Sequence, residues 1–169
     1  MAAQSLLGYA YTCPDMVGGG EISAVSVAGG RDQELYVRYA QLAACTPMMQ
    51  FSVLPDRLDP PHQAAVREAL RVREALWPLL DTLIDSAATT GEPILRPMAY
   101  HYSELAEVVD QFLLGPDLLV APVLSPSATT RRIAVPPGTW FTDDGTTVEG
   151  PAIVDLPVTL HSIPRLHRF

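Results

Sequence analysis

The chain has 169 residues, of which 48% are hydrophobic and 18% charged, a composition typical of a globular fold and not of a disordered segment. The formal net charge of −8 argues against nucleic acid or an anionic membrane surface as the main partner. All eleven basic residues are arginine, which excludes a lysine nucleophile, a Schiff base and a P-loop.

Cysteine, histidine and hydropathy patterns argue against further classes of protein. Cys13 and Cys45 are too few for a disulfide framework, and we interpret both as buried free thiols. The four histidines lack ligand spacing, so we predict no metal site, and no motif indicates a cofactor. No apolar run approaches the ~20 residues of a membrane span, and the first residues lack the charged region of a signal peptide.

The N-terminal third of the chain begins with an apolar run, followed by a loop and a helix. Residues 6–14 predict a buried strand that ends at Pro14. Residues 15–20 contain three glycines and predict a tight turn. Asp32 is suited to cap a helix that runs to about Thr46. The residues expected on the apolar face of this helix are Leu35, Tyr39, Leu42 and Ala43.

A second strand and a longer helix follow. Residues 48–54 predict a short strand, and the proline-rich residues 55–61 predict a loop. A helix is predicted from about Pro61 to Ala88, closed by Gly91, with a kink at Pro78 and with Trp77 in the core. The predicted apolar stripe comprises Val66, Ala69, Leu70, Leu76, Leu80, Leu83, Ile84 and Ala87.

The composition changes near residue 94, where short β-rich runs begin, separated by proline and glycine. Turn signals recur roughly every 8–15 residues, which is typical of an antiparallel sandwich or barrel. We expect Trp140 in the core, residues 143–145 in a hairpin turn, and Arg131 and Arg132 at a solvated edge. The predicted strands are residues 94–100, 118–124, 131–135, 139–142, 147–154 and 158–167.

The predicted fold class is therefore α/β followed by all-β. The strand–helix–strand–helix order of the first half predicts parallel strands joined by crossover helices. Two such units cannot bury both faces of a sheet, so we expect them to be the end of a larger assembly.

Segments in both halves resemble glycoside hydrolase family 31. Residues 110–124 (DQFLLGPDLLVAPVL) resemble the entry to the family's proximal C-terminal sandwich and are the most specific match. Residues 14–19 (PDMVGG) and 48–52 (MMQFS) are most similar to the myogenesis-regulating glycosidase branch. The other matching segments are residues 7–19 (LGYAYTCPDMVGG), like the seventh barrel strand, 34–44 (ELYVRYAQLAA), like the next helix, and 91–97 (GEPILRP), like the junction before the sandwich.

The resemblance implies a retaining α-glycosidase. Residues 1–93 would form the C-terminal part of its (β/α)8 barrel, namely the last two βα units, and residues 94–169 its proximal β-sandwich. Retaining hydrolysis needs two carboxylates about 5–5.5 Å apart, and in the family both lie on earlier strands. The family motifs that carry these two carboxylates have no counterpart in this sequence. We therefore expect both carboxylates upstream of Met1 and no activity from this chain alone.

Three residues are candidates for the substrate pocket. Asp15 follows the predicted first strand, either as a rim carboxylate or as a cap for the glycine turn. Gln50 and Ser52 end the second strand, where many family members have Arg-Asn-His. This departure puts glucose specificity in doubt, although an amide and a hydroxyl can still bond a sugar. Ordinary strand-end residues are the alternative interpretation.

Two functions from different classes remain. The first is a glycosidase acting on a carbohydrate, and the branch implies an α-galactoside and the secretory pathway, with any anchor upstream. The second is a non-catalytic structural or interaction module derived from such an enzyme.

Overall fold

The computed structural model describes residues 2–19 and 32–169. The helices in these ranges are α1 (Ala2–Ser5), α2 (Gln33–Ala44) and α3 (Pro60–Thr90). The strands are β1 (Met16–Val17), β2 (Gln50–Phe51), β3 (Leu95–Pro97), β4 (Phe112–Leu114), β5 (Leu118–Val120), β6 (Thr130–Thr142), β7 (Thr147–Pro157) and β8 (Arg165–His167). β1 and β2 form a parallel pair, and the others form an antiparallel sheet in the order β3-β4-β5-β8-β6-β7.

Residues 6–14 do not form the buried strand that their apolar sequence predicts. Leu7 is 76% exposed and Tyr9 is 65% exposed. A strand is stable only when its backbone groups are paired, and β2 pairs with Met16 and Val17 alone. The apolar run therefore has no ladder partner among the described residues.

α2 begins where the sequence predicts, and of its predicted apolar face Ala43 is buried while Tyr39 and Leu42 pack partly buried against the core. Asp32 caps it, with its Oδ1 accepting from the backbone N–H of Leu35 at 2.9 Å. Leu35 itself is 64% exposed. The helix packs on more than one side, so its buried set is wider than one stripe and includes a polar residue. The buried residues of α2 are Tyr36, Val37, Ala40, Gln41, Ala43 and Ala44.

α3 matches its prediction in extent and largely in its buried stripe. It ends at Gly91, whose φ of +78° is left-handed. Trp77 is 52% exposed, so its prediction as a core residue is wrong. At 100° per residue, position 77 is rotated away from the stripe that Leu76 and Leu80 share. The kink at Pro78 stays a prediction.

The antiparallel β-domain is confirmed, whereas its arrangement as a two-layer sandwich stays a prediction. The two strands predicted between residues 131 and 142 are one strand, β6, with a register shift between Val135 and Gly138. Trp140 is fully buried, as expected. Residues 143–145 turn the β6–β7 hairpin, which is also as expected.

The cores of the two halves are continuous. Leu80 and Leu83 of α3 belong to the same buried cluster as Leu95 of β3, Leu114 of β4 and Leu118 of β5. α3 therefore packs directly on the large sheet, across the predicted domain boundary at residue 93. That boundary stays a prediction.

Candidate functional site

The candidate site residues surround the parallel pair of β1 and β2. Met16 pairs with Gln50, and Val17 pairs with Phe51. Side chains of a strand alternate between its two faces. Val17 is fully buried and Phe51 half-buried, whereas Met16, Gln50 and Ser52 are exposed. The pair thus buries one face and presents Gln50 and Ser52 together on the other.

Asp15 lies directly before β1, and no strand precedes it in the described residues 2–14. Its backbone has a φ of +83°, a left-handed conformation that is uncommon for residues other than glycine. Its Oδ1 accepts from the backbone N–H of Met16 at 2.8 Å. A Cβ built at Gly19 would lie 3.7 Å from Oδ2 of Asp15, so this carboxylate lies beside the turn after β1. The structure therefore brings Gln50 and Ser52 together on one face and places the Asp15 carboxylate beside the turn after β1.

Ser52 links β2 to β1, whereas the Gln50 side chain is available to a ligand. The backbone N–H of Ser52 donates to the carbonyl of Val17 at 3.0 Å, and its hydroxyl donates to the same oxygen at 3.2 Å. The Gln50 amide has no hydrogen-bond partner within the described residues. Such an amide can donate and accept, and the Ser52 oxygen retains its lone pairs for another donor.

The turn after β1 requires glycine at position 18. Its φ is +77°, and a Cβ there would lie 2.8 Å from Cε2 of Tyr36 and 3.1 Å from Cβ of Val53. The ring of Tyr36 also stacks with Phe51 at 6.4 Å between centroids. The Tyr36 ring thus packs against the turn after β1 and against β2.

α2 holds the strand pair by two tyrosine hydroxyls. Tyr36 donates to the carbonyl of Val53, just after β2, and Tyr39 donates to the carbonyl of Pro14, just before β1. Burial, followed by the charge of Asp15, raises the pKa of Tyr39 above its ordinary value. The apolar periodicity of α2 predicts Tyr39 on the buried face but gives no indication of Tyr36. Their spacing of three on one helix was the signal available.

The two cysteines are both free thiols but differ in burial. Cys45 is fully buried at the end of α2, and this burial raises its pKa to about 12. Cys13 is only half-buried. The prediction of two buried thiols is therefore confirmed for Cys45 alone.

The most specific motif, DQFLLG, begins with two residues that have structural contacts. The carboxylate of Asp110 pairs with Arg131 at 2.8 Å, and the Arg131 side chain is only 11% exposed, so its prediction as a solvated edge residue is wrong. Gln111 is 4% exposed. Its amide donates to the carbonyl of Ala134 at 2.7 Å and accepts from the N–H of Ala134 at 3.0 Å. These contacts fasten the segment before β4 to β6, which is not a neighbour of β4 in the sheet.

Comparison with known proteins settles the family. Residues 91–168 match the glycosyl hydrolase family 31 C-terminal domain. The myogenesis-regulating glycosidase of Mus musculus is 36% identical to this chain over 169 residues, which cover 94% of the chain and 24% of that protein. The chain belongs to glycoside hydrolase family 31. The similarity to the myogenesis-regulating glycosidase branch is confirmed as well.

Solved structures of family 31 enzymes share the fold. An α-xylosidase from a soil metagenome, complexed with xylose, superposes with a TM-score of 0.85 over 99% of this chain and 29% of its own, at 23% identity. A dextranase from Flavobacterium johnsoniae, complexed with isomaltotriose, has a TM-score of 0.75 and 29% identity, covering 80% of this chain and 18% of its own. This family 31 chain thus spans less than a third of each of these proteins.

The described residues contain neither a membrane-spanning helix nor a cluster of metal-ligating side chains. In residues 2–19 and 32–169, no helix has the length and apolar composition needed to cross a bilayer. Over the same ranges, no three side chains of His, Cys, Asp or Glu come close enough together to hold a metal ion.

Proposed function

We propose that this chain is the C-terminal portion of a retaining α-glycosidase that hydrolyses an O-glycosyl bond, with an α-galactoside as substrate. The observation that carries the proposal is the 36% identity to a glycosidase over 94% of the chain. That match spans the β1–β2 unit as well as the large sheet. The galactoside rests on the branch and on Gln50 and Ser52, which replace the pattern associated with glucose specificity.

The proposed place of residues 1–93 is the end of a (β/α)8 barrel, with residues 94–169 as the β-sandwich behind it. The parallel pairing of β1 and β2, with α2 between them along the chain, supports this placement. Such barrels carry their active sites at the C-terminal ends of their strands. Ser52 directly follows β2 and would lie at that rim.

The proposed roles are unequal across the three site residues. Gln50 and Ser52 bond sugar hydroxyls, while Asp15 orders the turn and contributes a rim carboxylate. Asp15 is the one carboxylate in residues 12–19 and 48–54. Because retaining hydrolysis needs two carboxylates, we propose that the chain by itself is inactive and that the nucleophile and acid/base come from outside it.

The alternative of a non-catalytic module has support for residues 91–168 only. The paired contacts of Asp110 with Arg131 and of Gln111 with Ala134 are internal to that domain and are structural. We propose that this domain supports the barrel and takes no part in the chemistry.

An assay of the isolated chain tests its inactivity. Aryl α-galactosides and aryl α-glucosides are offered in parallel, and no turnover above buffer is expected from the chain or from Asp15→Asn. Turnover by the chain that Asp15→Asn abolishes would show that a catalytic group had been missed.

A chimaera tests the substrate and the rim. The matching 24% of the mouse relative is replaced by this chain, and the product is expected to prefer aryl α-galactosides. Gln50→Ala in the chimaera should lower kcat/KM roughly tenfold, the worth of one hydrogen bond of about 1.4 kcal/mol. Gln4→Ala, an exposed amide distant in sequence, is the control. A preference for α-glucosides, or an unaffected Gln50→Ala, contradicts the proposed specificity.

A further inference from the structure

One face of α2 uses three polar side chains to bind backbone groups of the C-terminal half. They are Glu34, Arg38 and Gln41, which lie four and three residues apart and so share a face. Both oxygens of Glu34 accept from the N–H of Ser127, at 3.1 and 2.9 Å. Glu34 thereby fixes a residue whose own φ is +55°, in the left-handed region.

Arg38 and Gln41 bind a second loop, between β7 and β8. Arg38 donates to the carbonyl of Thr159 at 3.0 Å, and Gln41 donates to the carbonyl of Leu160 at 2.7 Å. The two side chains also bond each other at 3.0 Å. Both are buried, the Arg38 side chain being 9% exposed and Gln41 4%. Buried polar groups lose free energy when they are unpaired, so these bonds, together with the packing of Leu160 against the apolar cluster of α2, hold the helix to the loop.

Polar bonds, and not close apolar packing, join α2 to the segment after β5. A groove of about 270 Å³ lies between the helix and residues 123–126. Its walls include Leu35 and Leu124, which are 64% and 62% exposed. A shift of this segment is therefore transmitted to the helix through Glu34, which binds the N–H of Ser127.

The same helix holds the candidate site. Tyr36 bonds the carbonyl that follows Ser52 by one residue, and Tyr39 bonds the carbonyl that precedes Asp15 by one residue. α2 has 12 residues, short enough to move as one rigid body. Contacts that hold the polar face of α2 in place therefore also hold its two tyrosines in place.

We infer that Glu34, Arg38 and Gln41 are positioning residues that couple the C-terminal sheet to the β1–β2 pair. Losing their bonds frees α2 to shift, and its tyrosines then release the strand pair. The significance of the coupling for sugar binding rests on the proposed function, but the coupling itself does not.

Amide hydrogen exchange by NMR tests the coupling without any substrate. The Ser52 N–H bonds the Val17 carbonyl, so its exchange rate reports opening of the β1–β2 pair. Arg38→Ala is expected to speed exchange at Ser52 by about tenfold, within the usual range of coupling between sites. Arg38→Lys keeps a donor for Thr159 and should recover part of the loss. Arg71→Ala, which removes an exposed arginine from α3, should leave Ser52 unchanged.

A second pair of variants keeps the test valid if Arg38→Ala unfolds the chain. Glu34→Ala removes the acceptor for Ser127, whereas Glu34→Gln keeps one. Exchange at Ser52 should rise in the first and not in the second, while amides of the central strand β5 keep their rates. Unchanged exchange at Ser52 in Glu34→Ala, or an equal rise at every amide, would overturn the inference. No sugar is present, so its failure cannot be confused with failure of the proposed substrate.

Discussion

Gln111 takes the place of a strand partner for β6. Its amide satisfies both the N–H and the C=O of Ala134, a residue that is itself 7% exposed. A backbone pair buried without partners costs free energy for each group. The two hydrogen bonds to Ala134 therefore explain the glutamine of the DQFLLG motif, and no catalytic role is needed for it.

Replacing Gln111 by leucine should lower the free energy of unfolding by about 2–4 kcal/mol. Leucine is similar in size but leaves two buried backbone groups of Ala134 unpaired, each worth about 1–3 kcal/mol. Urea denaturation measures the loss. Gln4→Leu makes the same chemical change at an exposed position and should cost less than about 0.5 kcal/mol. Equal losses of unfolding free energy in Gln111→Leu and Gln4→Leu would show that the hydrogen bonds of Gln111 do not stabilise the fold.

His101 accepts a hydrogen bond from Arg96 and must be neutral to do so. Nη1 of Arg96 lies 2.7 Å from Nε2 of His101, and the guanidinium has no lone pair to offer. Burial, followed by the charge of Arg96, lowers the pKa of His101. Because the folded pKa lies below the unfolded value of about 6.5, the unfolded chain takes up a proton first as pH falls. The stability from neutral His101 is complete above that value and is lost as pH falls through the folded pKa.

Acidification should therefore destabilise the wild type more than a His101→Gln variant. Glutamine retains an acceptor for Arg96 and does not titrate. The measurement is the urea midpoint between about pH 7.5 and about pH 5. Gln4→Ala, which changes an exposed residue that does not titrate, should show the wild-type slope. A His101→Gln slope identical to the wild type would rule out this histidine as a source of the pH dependence.

At the scale of elements, Arg73 of α3 caps the C-terminal end of α2. Its guanidinium donates to the carbonyls of Thr46 at 2.7 Å and Pro47 at 3.0 Å, and more weakly to two carbonyls in the last turn of α2. The final carbonyls of a helix lack intrahelical partners and carry partial negative charge. One arginine thus satisfies the end of one helix and fixes the packing of two.

Arg73→Met should destabilise the fold by about 1.5–3 kcal/mol, the worth of hydrogen bonds to a charged group. Methionine keeps the apolar stem and removes only the donors. Arg71→Met, two residues away on the same helix, removes an arginine that is 67% exposed and should have little effect. Thermal unfolding of both variants distinguishes them, and a neutral Arg73→Met would show that the cap contributes no stability.

At the scale of the whole molecule, apolar surface is concentrated near the N-terminus. Leu6, Leu7, Tyr9 and Tyr11 are between 50% and 76% exposed. Several exposed large apolar side chains within six residues favour an interface or aggregation. In the proposed barrel, these side chains would face neighbouring strands of the same enzyme.

The chain on its own should therefore self-associate with rising concentration. Sedimentation velocity measures this, and Leu7→Ser combined with Tyr9→Ser should shift the distribution toward monomer. Val109→Ser removes an apolar side chain that is 88% exposed in the other half of the chain and serves as the control. A monodisperse wild-type monomer at all concentrations would contradict the prediction.

The features that the sequence alone predicted correctly depend on residues that are close together in the chain. Asp32 marks the start of α2 and Gly91 marks the end of α3, because helix capping depends on a few adjacent residues. The β-rich second half and its turn at residues 143–145 followed from spacing of proline and glycine. The family, too, could be read from short contiguous motifs.

The tertiary structure decided everything that depends on a partner distant in sequence. Residues 6–14 have strand-like composition, but a strand forms only beside another strand. Arg131 was expected at an edge, yet Asp110 buries it in an ion pair. Trp77 was expected in the core, yet it lies on the side of α3 that no described element covers well. The role of α2, with its tyrosines on the candidate site and its charges on the sheet domain, depends on contacts up to 121 residues apart in sequence, which no local pattern encodes.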